Sequence, residues 1–148
     1  MKESKTAYNL EDTKKIAEEL AAQMKPGGVV CLNGELGAGK TAFAGFFIQA
    51  LGVDCTYVPS PTFAIVNEYE AARFPVYHFD FYRLENPDEI YANGFDELLF
   101  GNGVCIAEWA EKMASALPEK RIDIEIRKNF CFGPDWREFT IEWKGEEN

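Results

Sequence analysis

A chain of 148 residues, 47% apolar and 27% charged, has the size and make-up of one globular domain with a real core, so residues 1–148 are expected to form a single domain. The formal net charge of −10 argues against a protein that grips RNA or DNA on its own surface, because that grip comes largely from Lys and Arg neutralising phosphates. No run approaches the roughly 20 apolar residues of a membrane span, and the polar start "MKESKTAYNLEDTKK" has no signal-peptide core; the expectation is a cytoplasmic protein without a membrane role.

"NLEDTKKIAEELAAQM" predicts an amphipathic helix, with Ile16, Leu20 and Met24 recurring every four residues. Asn9 can cap it, with Asp12 near its positive end. "KPGG" stops the helix, and "VVCLN" (29–33) predicts a buried strand. A glycine-rich loop follows. "KTAFAGFFIQAL" then predicts a largely buried helix ended by Gly52. "SPTF" (60–63) is a loop, and "AIVNEYE" (64–70) and "PVYHFD" (75–80) are strands. "NPDEIYANGFDELLF" is helical with a break at Gly94. "GVCIAEW" (103–109) is a buried strand, and "EKMASAL" a short helix. "RIDIEIRKN" and "REFTIEWK" alternate polar and apolar residues around a turn at Gly133 and Pro134, the pattern of an antiparallel hairpin. Strands alternating with helices predict an α/β fold with a mostly parallel central sheet flanked by helices and an antiparallel C-terminal hairpin. The cysteines Cys31, Cys55, Cys105 and Cys131 are scattered without a C-x-x-C pair, which argues against a zinc site or a disulfide framework. Cys31 and Cys105 read as core residues.

The loop "GELGAGKT" fits G-x-x-x-x-G-K-[ST], with Gly34, Gly39, Lys40 and Thr41 at the fixed positions and Glu35, Leu36, Gly37 and Ala38 between them. Its backbone N–H groups can wrap phosphate oxygens, and the helix that follows aims its positive end at the same place. Lys40 supplies a charge for the β- and γ-phosphates, and the Thr41 hydroxyl is a ligand for Mg2+. A chance match in a chain of this size is below about 1% from average residue usage. The fold is therefore expected to be that of a P-loop NTPase. Mg2+ needs a further oxygen ligand at the C-terminal end of a neighbouring strand. Glu108 and Asp80 both end apolar strands; one can hold metal while the other orients the attacking water. Thr62 in "SPTF" is a candidate γ-phosphate sensor. His78, the single histidine, shares the strand face of Asp80 and reads as a hydrogen-bonded structural histidine. Arg83 can reach a phosphate or pair with a carboxylate. Trp109 can pack near the nucleotide, at a partner surface or in the core. The GTP signature N/T-K-x-D is absent, which leaves ATP as the expected nucleotide.

"GELGAGKT", "SPTF", "VNEY", "HFDFYRL", "AEW" and "LP" occur in an order and spacing that resembles the bacterial TsaE (YjeE) family, from about Thr6 to Trp143. The resemblance implies a small Mg2+-dependent ATPase that serves threonylcarbamoyladenosine formation in tRNA, at the adenosine next to the anticodon. It also implies weak hydrolysis alone and two partner proteins, TsaD and TsaB, through which tRNA is met only indirectly. It carries Thr41 and Glu108 over as metal ligands, Asp80 as an acid of the active site and Thr62 as the switch-loop threonine. It places Thr13 near the adenine and Arg137 near a loop that closes the pocket. Two departures stand out. Glu35 replaces the usual Asp, and Ala42 replaces a hydroxyl residue that commonly contacts the α-phosphate. Two other readings share the cradle: a small-molecule kinase, and a nucleotide-dependent binding module with negligible hydrolysis.

Overall fold

The computed structural model describes residues 1–145. Its elements are β1 (Lys2–Ala7), α1 (Leu10–Ala22), β2 (Val29–Asn33), α2 (Lys40–Ala50), β3 (Val66–Glu70), β4 (Pro75–Asp80), α3 (Asp88–Ala92), α4 (Phe95–Leu99), β5 (Val104–Glu108), a 3-10 turn (Glu111–Ala116), β6 (Arg121–Lys128) and β7 (Arg137–Lys144). The strands form one seven-stranded sheet in the order β1-β7-β6-β2-β5-β4-β3. β6, β2, β5 and β4 run parallel. β1–β7, β7–β6 and β3–β4 are antiparallel. The α/β reading with a parallel centre and an antiparallel C-terminal hairpin therefore holds, and β3 adds a second antiparallel edge.

Period-2 alternation splits the central strands between the two faces. Val30, Leu32, Ile106, Val76 and Ile124 pack with Ile16, Leu20, Phe43 and Phe47 from α1 and α2. Val29, Cys31, Cys105, Ala107 and Phe79 pack with Ile90, Leu99 and Met113 on the other face. Both faces are covered, so these strands read as unbroken apolar runs. Burial raises the thiol pKa of both core cysteines, that of Cys105 to about 12.

The cap of α1 is as expected. Asn9 accepts the Asp12 N–H at 2.8 Å, and Asp12 in turn accepts the Tyr8 N–H at 3.0 Å. The helical stretch after "YRLEN" is broken at Gly94, which takes a left-handed φ of 75° between α3 and α4. The short helix expected at "EKMASAL" is a 3-10 helix over Glu111–Ala116. One local expectation differs from the structure, and one strand was not expected. Ala64 and Ile65 belong to the turn before β3, and Ile65 has φ 70°, a costly conformation for a β-branched residue. The opening polar residues form β1, an edge strand beside β7.

Candidate functional site

The loop between β2 and α2 fixes the site. Gly34 has φ 152°, and a Cβ there would lie 2.6 Å from the Ile126 carbonyl oxygen of β6, so no larger residue fits. Gly39, at φ 103°, turns the chain into α2. Lys40 is 5% exposed. Its ammonium donates to the carbonyls of Gly34 at 2.6 Å and Glu35 at 2.8 Å and lies 3.8 Å from the centroid of the Trp109 ring. Burial lowers its pKa, against the pull of Glu108, Glu111, Asp80 and Glu125.

Two cations from the C-terminal hairpin hold the loop from behind. Lys128 Nζ donates to the Leu36 carbonyl at 3.1 Å, and Arg137 Nε to the Ala38 carbonyl at 2.7 Å. Across a trans peptide the C=O and the following N–H point in opposite directions. Drawing these two carbonyls toward the hairpin therefore turns the N–H groups of Gly37 and Gly39 away from it. The result is a concave set of donors of the kind that binds phosphate.

Asp80 and Glu108 are the last residues of β4 and β5 and are register partners. Both are nearly fully buried, on the face covered by α1 and α2. Glu108 Oε1 accepts the Thr41 hydroxyl at 2.8 Å, and its Oε2 lies 2.6 Å from His78 Nε2. Asp80 Oδ2 accepts the hydroxyls of Ser60 at 3.0 Å and Thr62 at 2.9 Å, and Oδ1 accepts the Tyr82 N–H at 2.9 Å. Thus Glu108 is tied to the glycine-rich loop and Asp80 to the "SPTF" loop.

These groups border a cavity of about 530 Å³ lined by Leu36, Gly37, Gly39, Lys40, Thr41, Ala42, Ser60, Thr62, Asp80, Tyr82, Glu108 and Trp109. Gly34, Glu35 and Ala38 shape the loop without lining the cavity; Glu35 and Ala38 act through their carbonyls. Arg137 also stays behind the loop. Thr13 lies on the buried face of α1, outside the cavity, and its hydroxyl has no hydrogen-bond partner among the described residues. Arg83 lies 5.4 Å from the Phe63 ring centroid and pairs with no carboxylate among the described residues. Trp109 takes φ 56° directly after Glu108, which presents its ring to both Lys40 and Tyr82.

Sequence reasoning missed Ser60, Tyr82 and Lys128. Ser60 carried a signal, a second hydroxyl two residues before Thr62. Lys128 carried none, since its contact with Leu36 spans 92 positions.

The family model for "Threonylcarbamoyl adenosine biosynthesis protein TsaE" matches residues 7–131. The chain belongs to the TsaE family. Among its TsaE relatives, the "tRNA threonylcarbamoyladenosine biosynthesis protein TsaE" of Bacillus subtilis is 46% identical over 133 residues, 90% of this chain and 80% of the relative. The protein of the same name from Rickettsia bellii is 40% identical over 86% of this chain and 88% of its own. The crystal structure of Bacillus subtilis YdiB superposes with a TM-score of 0.79 at 38% identity, over 98% of this chain and 87% of that one.

The donor set of this TsaE-family chain fits a magnesium nucleotide. Adjacent ligands of an octahedral Mg2+ at about 2.1 Å lie about 3 Å apart, and the oxygens of Thr41 and Glu108 are 2.8 Å apart. All the candidate ligands are hard oxygens, as Mg2+ requires. The loop offers backbone donors and one ammonium to phosphates, and Leu36, Tyr82 and Trp109 supply the large side chains of the cavity it borders.

Proposed function

We propose that this chain is a Mg2+-dependent ATPase that serves the threonylcarbamoyladenosine modification of tRNA, acting with TsaD and TsaB. The observation that carries the reading is the Thr41–Glu108 hydrogen bond. It joins the first turn of α2 to the end of β5, at the cavity that Lys40 also lines. Family membership supports the biosynthetic role, and the names of the relatives supply the tRNA product. The partnership with TsaD and TsaB rests on the resemblance of the motifs.

In this reading Lys40 leaves the carbonyls of Gly34 and Glu35 and turns to the β- and γ-phosphates, staying over the Trp109 ring. The N–H groups of Gly37, Gly39 and Lys40 hold phosphate oxygens in place. Thr41 and Glu108 would hold Mg2+, which when bound neutralises the charge that builds on the transferred phosphoryl oxygens. Asp80 is the acid that orients the attacking water. It is free to do so because its tie to the loop runs through the hydroxyls of Ser60 and Thr62, which can turn toward a γ-phosphate. Thr62 then reads the γ-phosphate and orders its loop. Reaction and positioning are thus divided between two acids set side by side by strand register.

The test is ATP hydrolysis by the purified chain, alone and with TsaD and TsaB from the same organism, comparing wild type, Lys40→Ala and Glu108→Ala. Turnover that rises with the partners and is lost in both variants is the expected result. Turnover that ignores the partners, or survives in Lys40→Ala, overturns the reading.

A further inference from the structure

Beyond the carboxylates, the site holds one more buried titratable group that this reading leaves unused. It is His78, the only histidine of the chain. It is 0% exposed, and its Nε2 lies 2.6 Å from Glu108 Oε2. The bond crosses diagonally between adjacent parallel strands, because His78 is in register with Ile106 and Asp80 with Glu108. The other ring nitrogen, Nδ1, is buried without a partner among the described residues. A ring carrying its proton on Nδ1 would bury an unused donor and set a bare Nε2 against a carboxylate oxygen. A ring carrying it on Nε2 leaves only an unfilled acceptor, and makes a short charge-assisted bond.

Glu108 has two oxygens and two neighbours. Thr41 takes Oε1, and His78 takes Oε2. With one oxygen fixed, the carboxylate cannot rotate or present both oxygens to the cavity. We propose that His78 is a positioning residue: its Nε2–H locks Oε2 of Glu108 so that Oε1 alone faces Thr41 and the Mg2+ position. This rests on reading Glu108 as a metal-holding carboxylate. The short bond is placed as a partner behind a metal ligand would be, where it fixes the ligand's orientation and tunes its affinity.

Two variants and one spectrum test it. His78→Leu keeps volume and removes the donor; His78→Gln keeps an N–H at a similar reach. Thermal melting and ADP binding in EDTA establish that each variant is folded with an intact cradle. The Mg2+ concentration for half-maximal ATP turnover, and the Mg2+ dependence of ADP binding, are then measured. In His78→Leu both should require about 10-fold more Mg2+, with ADP binding in EDTA changed by less than about twofold. His78→Gln should recover most of the loss. A folded His78→Leu with unchanged Mg2+ dependence overturns the proposal and leaves the ATPase reading standing. A wild type whose ADP binding and turnover ignore Mg2+ overturns both.

Should the variants fail to fold, nitrogen-15 NMR of the wild type decides. As the single histidine, His78 gives one unambiguous imidazole signal set. A slowly exchanging Nε2–H resonance that is lost or moved in Glu108→Ala supports the assignment. A ring in the Nδ1–H form overturns it.

Discussion

At the scale of single residues, Ala42 is informative because it is exposed and borders the cavity where a hydroxyl is common in the family. A hydroxyl donated to a phosphate oxygen is worth about 1 kcal/mol. Ala42→Thr should therefore tighten ADP binding about fivefold by calorimetry, with little change in melting temperature. Lys40 makes a second prediction, with opposite signs for folding and for binding. Its folded pKa lies below the ordinary lysine value of 10.5 because the group is buried. Between the folded value and 10.5 the unfolded chain binds more protons than the native one. Through Lys40 alone, stability therefore rises with pH across that window. In the proposed function nucleotide binding needs the charge, so ADP affinity of the wild type should fall across the same window. Lys40→Arg should show no such fall, since a guanidinium keeps its proton there. A flat profile for the wild type would show that phosphate is held by the amides alone.

At the scale of elements, the glycine-rich loop is shaped both by its own glycines and by the hairpin behind it. Lys128 and Arg137 are register partners at the turn end of β6 and β7, and each holds one loop carbonyl. Arg137 is half-buried and also bonds the carbonyls of Pro134 and Trp136, so it joins the hairpin turn to the loop. Bonds to a charged donor are worth about 1.5–3 kcal/mol. Arg137→Leu should weaken ADP binding by about tenfold or more, and Lys128→Leu, at an exposed contact, by less. Calorimetry together with melting curves separates loop disorder from unfolding. Equal affinity in a folded Arg137→Leu would show that the loop holds its shape unaided. This clamp also marks where sequence reading stops. β2 and β5 were legible because their apolar runs lie between two covered faces, and α1 because its stripe and Asn9 cap agree. The acids were legible because they end those runs. β1 was not, because an edge strand with one side in solvent needs no apolar alternation, and only Ala7 of its six residues is buried. The left-handed turn at Ile65 was not, because tertiary contacts impose it on a residue that prefers a strand. Its carbonyl accepts the Asp80 N–H at 2.8 Å, so that strain anchors the "SPTF" loop to β4.

At the scale of the whole molecule, charge and topology divide the two ends of the sheet. The C-terminal ends of β2, β4, β5 and β6 converge on the glycine-rich loop and the two acids beside it, as ligand sites do in open parallel sheets. At the other end, Lys25, Lys120, Arg121 and Lys144 line a cavity of about 300 Å³, a local basic spot in a chain with 25 acids and 15 cations. Half of that charge is already engaged. Arg121 pairs with Asp123 at 3.0 Å, and Lys144 with the other oxygen of Asp123 at 3.5 Å. Among the described residues Lys25 and Lys120 have no ion pair and are left to neutralise about two phosphates, which gives a log–log salt slope of only about −2. The isolated chain should therefore retain no tRNA in filter binding at about 150 mM salt, and tRNA should be held only when a partner that grips it is present. Micromolar retention by the chain alone, with a steep salt slope, would contradict this. Loss of that retention in Lys25→Glu and Lys120→Glu would then locate the RNA at the end of the sheet opposite the nucleotide. In the expected case, the proposed nucleotide turnover can influence tRNA chemistry only through protein contacts. The elements placed to carry such an influence are the "SPTF" loop tied to Asp80 and the hairpin tied to the glycine-rich loop, since each joins the cavity to exposed aromatic residues, Phe63 on one and Phe130 and Phe132 on the other.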